Sequence, residues 1–463
     1  MTKRLQTFSP IDGSIYVERD LASPEQIQAV LKRAVGAQLR WRCVAVVERV
    51  AIVRRAVEIF HSLESDLAVE LSWMMGRPIR FAAGEIKGFV ERATYMADIA
   101  EDSLADLHLP AKAGFKRFIR REPLGVSLVI APWNFPYLTA VNAVVPALLA
   151  GNAVLLKHSA QTPLCAERMV AAFAEAGLPE GVFQYLHMDH ADTEMLIQSP
   201  GLAHVAFTGS VGGGQKMEQA MAGRFMYSGL ELGGKDPAYV RADADVSYAV
   251  EAAMDGAFFN SGQSCCGIER IYVHEDVYEA FVEQAVTLVN GYRLGRSDDP
   301  ETTLGPVIGP DSAAFVRGQI AEAITQGATA HIDEENFPLD KAGSPYLAPQ
   351  ILTDVNHGMR IMVEESFGPV VGIQRVHSDE EAVALMNDSE YGLTAAIFSQ
   401  DVDAALALGD QLDTGTVFLN RCDYLDPALA WTGVKNSGRG CTLSSVGFEH
   451  LTRPKSFHFK ILP

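Results

Sequence analysis

The sequence predicts a doubly wound α/β protein built on parallel sheets. Three observations carry that reading. Strand-like apolar runs alternate with helical ones along most of the 463 residues, the order that builds a parallel sheet with helices on its faces. The run PLGVSLVIAPWNFPYLTAVNAVVPALLAGNAVLL, residues 123 to 156, carries no charge and is cut by Pro132, Asn134, Pro136, Asn142, Pro146, Gly151 and Asn152. It is long enough to span a bilayer, but these breakers favour a buried strand, turn, helix and strand over a membrane segment. A hydrophobic content of 48% supports a large core, spread at this length over two or three domains.

The elements follow in order. SPEQIQAVLKRAVGAQ offers Ser23 as N-cap and Pro24 at the first helical position. Further helix is expected from Trp41 to Phe60, Leu63 to Met75 and Phe81 to Ala105 as covering layers. KRFIRREP, residues 116 to 123, reads as a strand leading into the charge-free unit. CAERMVAAFAEAGLPEGVFQYL is a helix stopped by Gly177 and Pro179 before a strand. LAHVAFTGSVGGGQKMEQAMA gives strand, glycine loop and helix, and RFMYSGLELGG a further strand and turn. ADVSYAVEAAMDGAFF is helical, GIERIYVHE a strand, VYEAFVEQAVTLVNG a helix, and DEEAVALMNDSEYGLTAAIFS helix then strand. The tail RPKSFHFKI alternates as a strand does, and with KRFIRR it needs partners at its edges.

The charge balance of -20, from 58 acidic and 38 basic residues without a basic cluster, argues against nucleic acid or an anionic membrane as partner. MTKRLQTFSPIDGS has no apolar stretch of the kind a secretory signal needs. Six cysteines are too few for a disulfide framework, and the adjacent Cys265 and Cys266 cannot easily bridge each other, so a reducing compartment such as the cytoplasm is expected. No Cys/His spacing suggests a metal site.

Several residues invite chemistry, each with a plainer alternative. TGSVGGG places Gly209 and Gly214 where a helix N-terminus could receive phosphate, but its GxxxxG spacing is not the dinucleotide fingerprint, and a simple tight turn reads the same. In FFNSGQSCCGIER a thiol between Gly262 and Gly267 could attack a carbonyl carbon, whereas free cysteine is commonly a small buried hydrophobe. In LELGGKDP, Glu231 among apolar neighbours would have the raised pKa of a general base, or could be a surface-turn carboxylate. APWNFP mounts Asn134 between prolines, where its amide could donate to an oxyanion or merely form an Asx turn. Lys157 ends a strand, where ligands collect in open sheets.

Together and in this order, PWNFP, LLK, FTGS, LELGGK, FFNSGQSC and EESFGPV resemble the aldehyde dehydrogenase superfamily, over most of the chain from about residue 110 to 440. The resemblance implies NAD(P)-dependent, hydrolytic oxidation of an aldehyde. Cys265, second after the Gly262-Gln263 pair, would attack the aldehyde, with Cys266 a neighbour. The Asn134 side chain and the Cys265 N–H would hold the oxyanion. Hydride would pass to the nicotinamide of NAD or NADP, and Glu231 would activate the water that hydrolyses the thioester. Lys157 and Glu365 would bind the two riboses, with Gly209, Ser210 and Gly214 at the pyrophosphate. Phe367 would lie near the nicotinamide, and Trp133 and Leu232 complete the cofactor set.

The same resemblance implies a cofactor domain (1–107 and 124–231), a catalytic domain (232–447) and a small β element (108–123 and 448–463) for a homodimer or homotetramer. Phe135, Phe259, Leu425 and Trp431 would line the substrate pocket, favouring an apolar, aromatic or medium-chain aldehyde. A semialdehyde such as succinate semialdehyde is the alternative, with Arg270 or another arginine holding the distal carboxylate. Two positions depart from the family pattern: AWTG, residues 430 to 433, replaces PFGG, and Ala160 stands where a ribose-binding glutamate is usual. That alanine opens the site to NADP, with Lys157 and His158 available to its phosphate. Acylation of coenzyme A would dispense with Glu231, and a catalytically silent binding relative would have no need of Cys265, Glu231 and Asn134 together.

Overall fold

The computed structural model describes residues 3–462, and two parallel sheets dominate it. The first runs in the order Gly438–Arg439, Tyr227–Glu231, Leu202–Thr208, Val126–Ala131, Ala153–His158, Phe183–Tyr185, parallel except for its outermost short pair. The second runs Thr329–Ala330, Gln350–Thr353, Val370–Val376, Ile268–His274, Asp236–Val240, Thr394–Phe398, Thr416–Leu419, again parallel but for its first pair. Although Gly438–Arg439 lies far along the chain, it joins the first sheet beside the strand that carries Glu231.

The charge-free run forms Val126–Ala131, Pro136–Ala150 and Ala153–His158, its two strands parallel neighbours. Among the described residues no helix is long and apolar enough to cross a membrane. Two breakers behave differently from expectation, because Asn142 and Pro146 both sit inside the helix, and the proline is the costly one. It forfeits one backbone bond, but the helix is buried along nearly its whole length and packing holds it.

Ser23 caps the helix Pro24–Trp41 through a reciprocal pair with Gln26, whose side chain accepts from the Ser23 N–H at 2.8 Å. The next helices are Val46–Ser62, Glu64–Met75, Ile79–Asp98 and Ala100–Leu104, so the helix expected from Trp41 onward is interrupted at residues 42–45. Trp41 is buried and its indole N–H donates to the Leu148 carbonyl at 2.9 Å, which pins the helix end there. Phe115–Pro123 pairs antiparallel with Thr452–Lys460, nine residues against nine, so KRFIRR and FHFK satisfy each other's edges. Leu107–His108 pairs with Phe118 and Ile119 alone on the far side of Phe115–Pro123, and the outer edge of Thr452–Lys460 has no neighbouring strand among the described residues.

Candidate active site

The helix Val246–Phe258 delivers the chain into a tightly tied loop. Asn260, Ser261 and Gly262 take left-handed φ values of 53°, 56° and 72° in succession. A Cβ at position 262 would collide with the Gly368 backbone, so only glycine fits. The Asn260 amide donates to the carbonyls of Asn134 at 3.1 Å and Gln263 at 3.2 Å, and the Ile308 N–H donates to the Gln263 side chain at 2.7 Å. Backbone held in sparse regions persists only where its surroundings enforce it, and it collects at working sites.

Beyond this loop Cys265 is half-buried on the wall of a cavity of about 390 Å³, which Glu231, Phe135, Phe259, Leu232, Leu425 and Trp431 also line. The two thiols differ. Cys266 is buried, and its S–H donates to Asp423 Oδ1 at 2.9 Å, the same oxygen that accepts from the Ser264 hydroxyl at 2.9 Å. Its hydrogen bond with Cys265, together with burial, pushes the Cys266 thiol well above the usual range. Cys266 is thus a fixed donor, whereas Cys265 is the more exposed of the two sulfurs on the cavity wall.

Glu231 ends the strand Tyr227–Glu231. Burial raises its pKa, while hydroxyl donors from Thr442 and Thr208 and the nearby charge of Arg92 oppose the rise. A carboxyl so placed suits proton abstraction from water. Asn134 is 3% exposed and belongs to the loop scaffold: its carbonyl accepts from Arg77 Nη2 at 2.6 Å, and its amide donates to the Gln263 carbonyl at 3.2 Å. An amide has two N–H groups, of which this bond uses one; Asn134 is not itself on the cavity wall, which its neighbour Phe135 lines. Arg77 in turn pairs with buried Glu85 and lies over the Phe135 ring at 4.4 Å.

Of the residues expected to meet a dinucleotide, Ser210 opens a turn of the form that receives an anion. Ser210 is exposed at the N-cap of the helix Val211–Met221, its hydroxyl accepting from the Gly213 N–H at 3.2 Å, so the first turn can receive an anion. The Gly209 N–H donates to the Glu231 carbonyl at 3.0 Å, which ties that loop to the candidate base. At Gly214 a Cβ would come within 2.7 Å of the Leu232 methyls, so this glycine serves helix packing. Lys157 is partly exposed, its pKa lowered by burial, and Ala160 is exposed. Glu365 accepts from the Gly234 N–H at 3.0 Å, and burial with the neighbouring Glu269 charge raises its carboxyl to about 7. Trp133 and Phe367 meet edge to face with centroids 5.6 Å apart.

Two expectations are corrected. His158 does not reach the cofactor side: it is 3% exposed, with Nε2 on the Pro136 carbonyl at 3.0 Å and Nδ1 accepting from the Ser159 N–H at 3.1 Å. Alternation along a strand turns it away from the face that Lys157 occupies. Arg270 is not a substrate residue either, being 1% exposed and spent on the carbonyls of Lys235 and Met386. The cavity instead holds Arg92, which the motifs did not indicate. The helix Ile79–Asp98 buries Ala82, Ile86, Phe89, Ala93 and Met96, and the charges Glu85 and Arg92 on that apolar stripe are the signal available in the sequence. Among the described residues no cluster of His, Cys, Asp or Glu is arranged to hold a metal.

Comparison with known proteins gives the family of the chain. A succinate-semialdehyde dehydrogenase [NADP(+)] of Deinococcus radiodurans is 35% identical over 97% of this chain and 93% of its own length. The structure of succinic semialdehyde dehydrogenase from Streptococcus pyogenes in complex with NADP+ superposes with a TM-score of 0.94 at 29% identity, covering 98% of this chain and 100% of the other. NADP-dependent glyceraldehyde-3-phosphate dehydrogenase from Bacillus halodurans does so at 0.93 and 31% identity, covering 99% and 96%. The model of the aldehyde dehydrogenase family matches residues 1–457. With a half-buried thiol and a carboxyl of raised pKa facing one cavity, and the match running over residues 1–457, this protein belongs to the aldehyde dehydrogenase family of NAD(P)-dependent oxidoreductases.

Proposed function

We propose that the chain oxidises short aldehydes bearing a distal carboxylate, semialdehydes of dicarboxylic acids, and that it uses NADP. The observation that carries the substrate is Arg92. It is 8% exposed on the cavity wall, and its Nη1 donates only to neutral oxygens, the Leu138 carbonyl at 2.8 Å and Asn142 Oδ1 at 3.2 Å. Among the described residues it makes no ion pair, and Glu231, Glu85 and Glu91 act on it only at longer range; a buried guanidinium so placed is costly, and a substrate carboxylate would complete it. The names of the relatives from Deinococcus radiodurans and Streptococcus pyogenes support the same class.

In this reading Arg92 anchors the carboxylate and turns the aldehyde carbon toward Cys265. Sulfur adds to the carbonyl, and the tetrahedral oxyanion takes hydrogen bonds from the Cys265 N–H and the second N–H of Asn134. NAD(P), when bound, would supply the hydride acceptor for the tetrahedral carbon. What remains on Cys265 is a thioester, and Glu231 removes a proton from water as it attacks the acyl carbon, releasing the acid. Lys157 and Glu365 hold the riboses. Six free cysteines suit a reducing compartment such as the cytoplasm, and the open edge of Thr452–Lys460 is where a second copy would pair.

The aromatic lining from Phe81, Phe135, Phe259 and Trp431 favours the other reading, an apolar aldehyde. A panel of succinate semialdehyde, glutarate semialdehyde, hexanal and benzaldehyde decides between them. Arg92→Met should raise KM for the carboxylated aldehydes roughly 10- to 150-fold, as expected for losing a charge-assisted hydrogen bond, and leave hexanal within a few-fold. Equal effects on all four, or wild-type preference for hexanal, would contradict the assignment.

For the cofactor, a carboxylate at Ala160 would face the 2'-phosphate of NADP, and like charges about 4 Å apart repel by roughly 4 kcal/mol at an effective dielectric near 20. Wild-type kcat/KM with NADP should therefore match or exceed that with NAD. Ala160→Glu should depress NADP use at least about tenfold more than NAD use. A wild type that rejects NADP by orders of magnitude would show that charge at this position does not govern the choice.

A further inference from the structure

We propose that Thr442 is a positioning residue for the Glu231 carboxylate, its hydroxyl working against that of Thr208 to hold both carboxylate oxygens in place. The proposal rests on the assignment of Glu231 as the base. Thr442 Oγ1 donates to Glu231 Oε1 at 2.6 Å and Thr208 Oγ1 to Oε2 at 3.0 Å, so each oxygen receives one donor from opposite sides. An ionised carboxylate only accepts, so two hydroxyl donors fix its orientation and favour its charged form.

Thr442 is itself tightly placed. Its backbone N–H and carbonyl exchange two 2.9 Å bonds with Trp431, which lines the same cavity. Gly440 beside it takes φ +92° while its carbonyl accepts from Thr432 Oγ1 at 2.6 Å, and Leu443 and Ser444 follow at φ 59° and 49°. A Cβ at Gly447 would reach the Thr442 backbone at 3.0 Å. Surroundings that hold a turn in so unfavourable a conformation keep its side chain aimed. Gly438–Arg439, just before it in the chain, pairs with the end of the strand that carries Glu231 and brings the two segments together.

The groups facing Glu231 set the sign. Arg92, from the helix Ile79–Asp98, favours the charged form, as do the two hydroxyls, while burial disfavours it. The Cys441 thiol, pushed up to about 11 by burial and by Glu231, stays neutral. Cys265 and Cys266 face the same cavity, and Cys266 stays protonated. Removing the Thr442 donor therefore weakens the carboxylate and moves its titration upward.

The test uses the full chain with NADP and succinate semialdehyde, following the burst of reduced cofactor and the steady-state kcat against pH. Thr442→Val should leave the burst within a few-fold and shift the acid limb of kcat upward by roughly one to two pH units. Thr442→Ser should restore the wild-type limb. An unmoved limb in Thr442→Val overturns the proposal. So does a lost burst, because Thr442 would then shape the whole cavity. If Glu231→Gln itself keeps full turnover, the base assignment fails; if that variant stalls and the Thr442→Val limb stays put, only the positioning role fails.

Discussion

Cys265→Ala is expected to abolish turnover, by roughly 10⁴-fold or more, the scale seen when an enzyme loses its nucleophile. No other sulfur can take over. Cys266 is buried with its proton committed to Asp423 at 2.9 Å and its thiol held well above the usual range, so it supplies almost no thiolate near neutral pH. Cys266→Ala removes one donor to Asp423, whose carboxyl burial already pushes upward, and should cost a few-fold at most. Both variants are compared by reduced-cofactor formation and by labelling with iodoacetamide, which should find a reactive site in wild type and Cys266→Ala but not in Cys265→Ala. A dead Cys266→Ala beside an active Cys265→Ala would reverse the two roles.

Glu231→Gln should separate the two halves of the reaction. The amide cannot take a proton from water, so hydrolysis of the thioester should slow by roughly 10²- to 10⁴-fold, while addition of sulfur and the first release of reduced cofactor proceed. A burst with little later turnover is the expected trace, and mass spectrometry of the stalled enzyme should find the acyl group on Cys265. The pH dependence has a definite sign. Burial raises the Glu231 pKa, so wild-type deacylation is full above that value and falls as pH drops through it. The variant has no such limb. Unchanged steady-state turnover would remove Glu231 from the mechanism.

How much was legible in the sequence depended on the range of the interaction. Strand and helix alternation is local, so the charge-free unit and the strand before Glu231 were readable from period and breakers. Pro146 reads as a breaker because a proline's cost is local, whereas the burial that overcomes it is not localised by composition. The break at residues 42–45 depends on the indole of Trp41 reaching Leu148, a contact 107 residues away in the chain. Arg92 left a trace as a charge on an apolar stripe, but nothing local distinguishes it from Glu85, which is neutralised by Arg77. Thr442 left none, since its neighbourhood with Glu231 is created by strand pairing between distant segments.

That distant pairing bears on how the protein is made. The Asn152 side chain donates to the carbonyl of Leu451, 299 residues later, Thr452–Lys460 closes against Phe115–Pro123, and Gly438–Arg439 completes the first sheet. A ribosome adding about 5–20 residues per second reaches those closing segments roughly 10 to 50 s after it has finished the strand Tyr227–Glu231. Through that interval the nascent first sheet carries an open edge and an uncovered flank, the condition in which half-built chains find wrong partners. Closure of the first sheet therefore waits on residues 438 onward, and until they arrive the strand Tyr227–Glu231 keeps one unpaired edge.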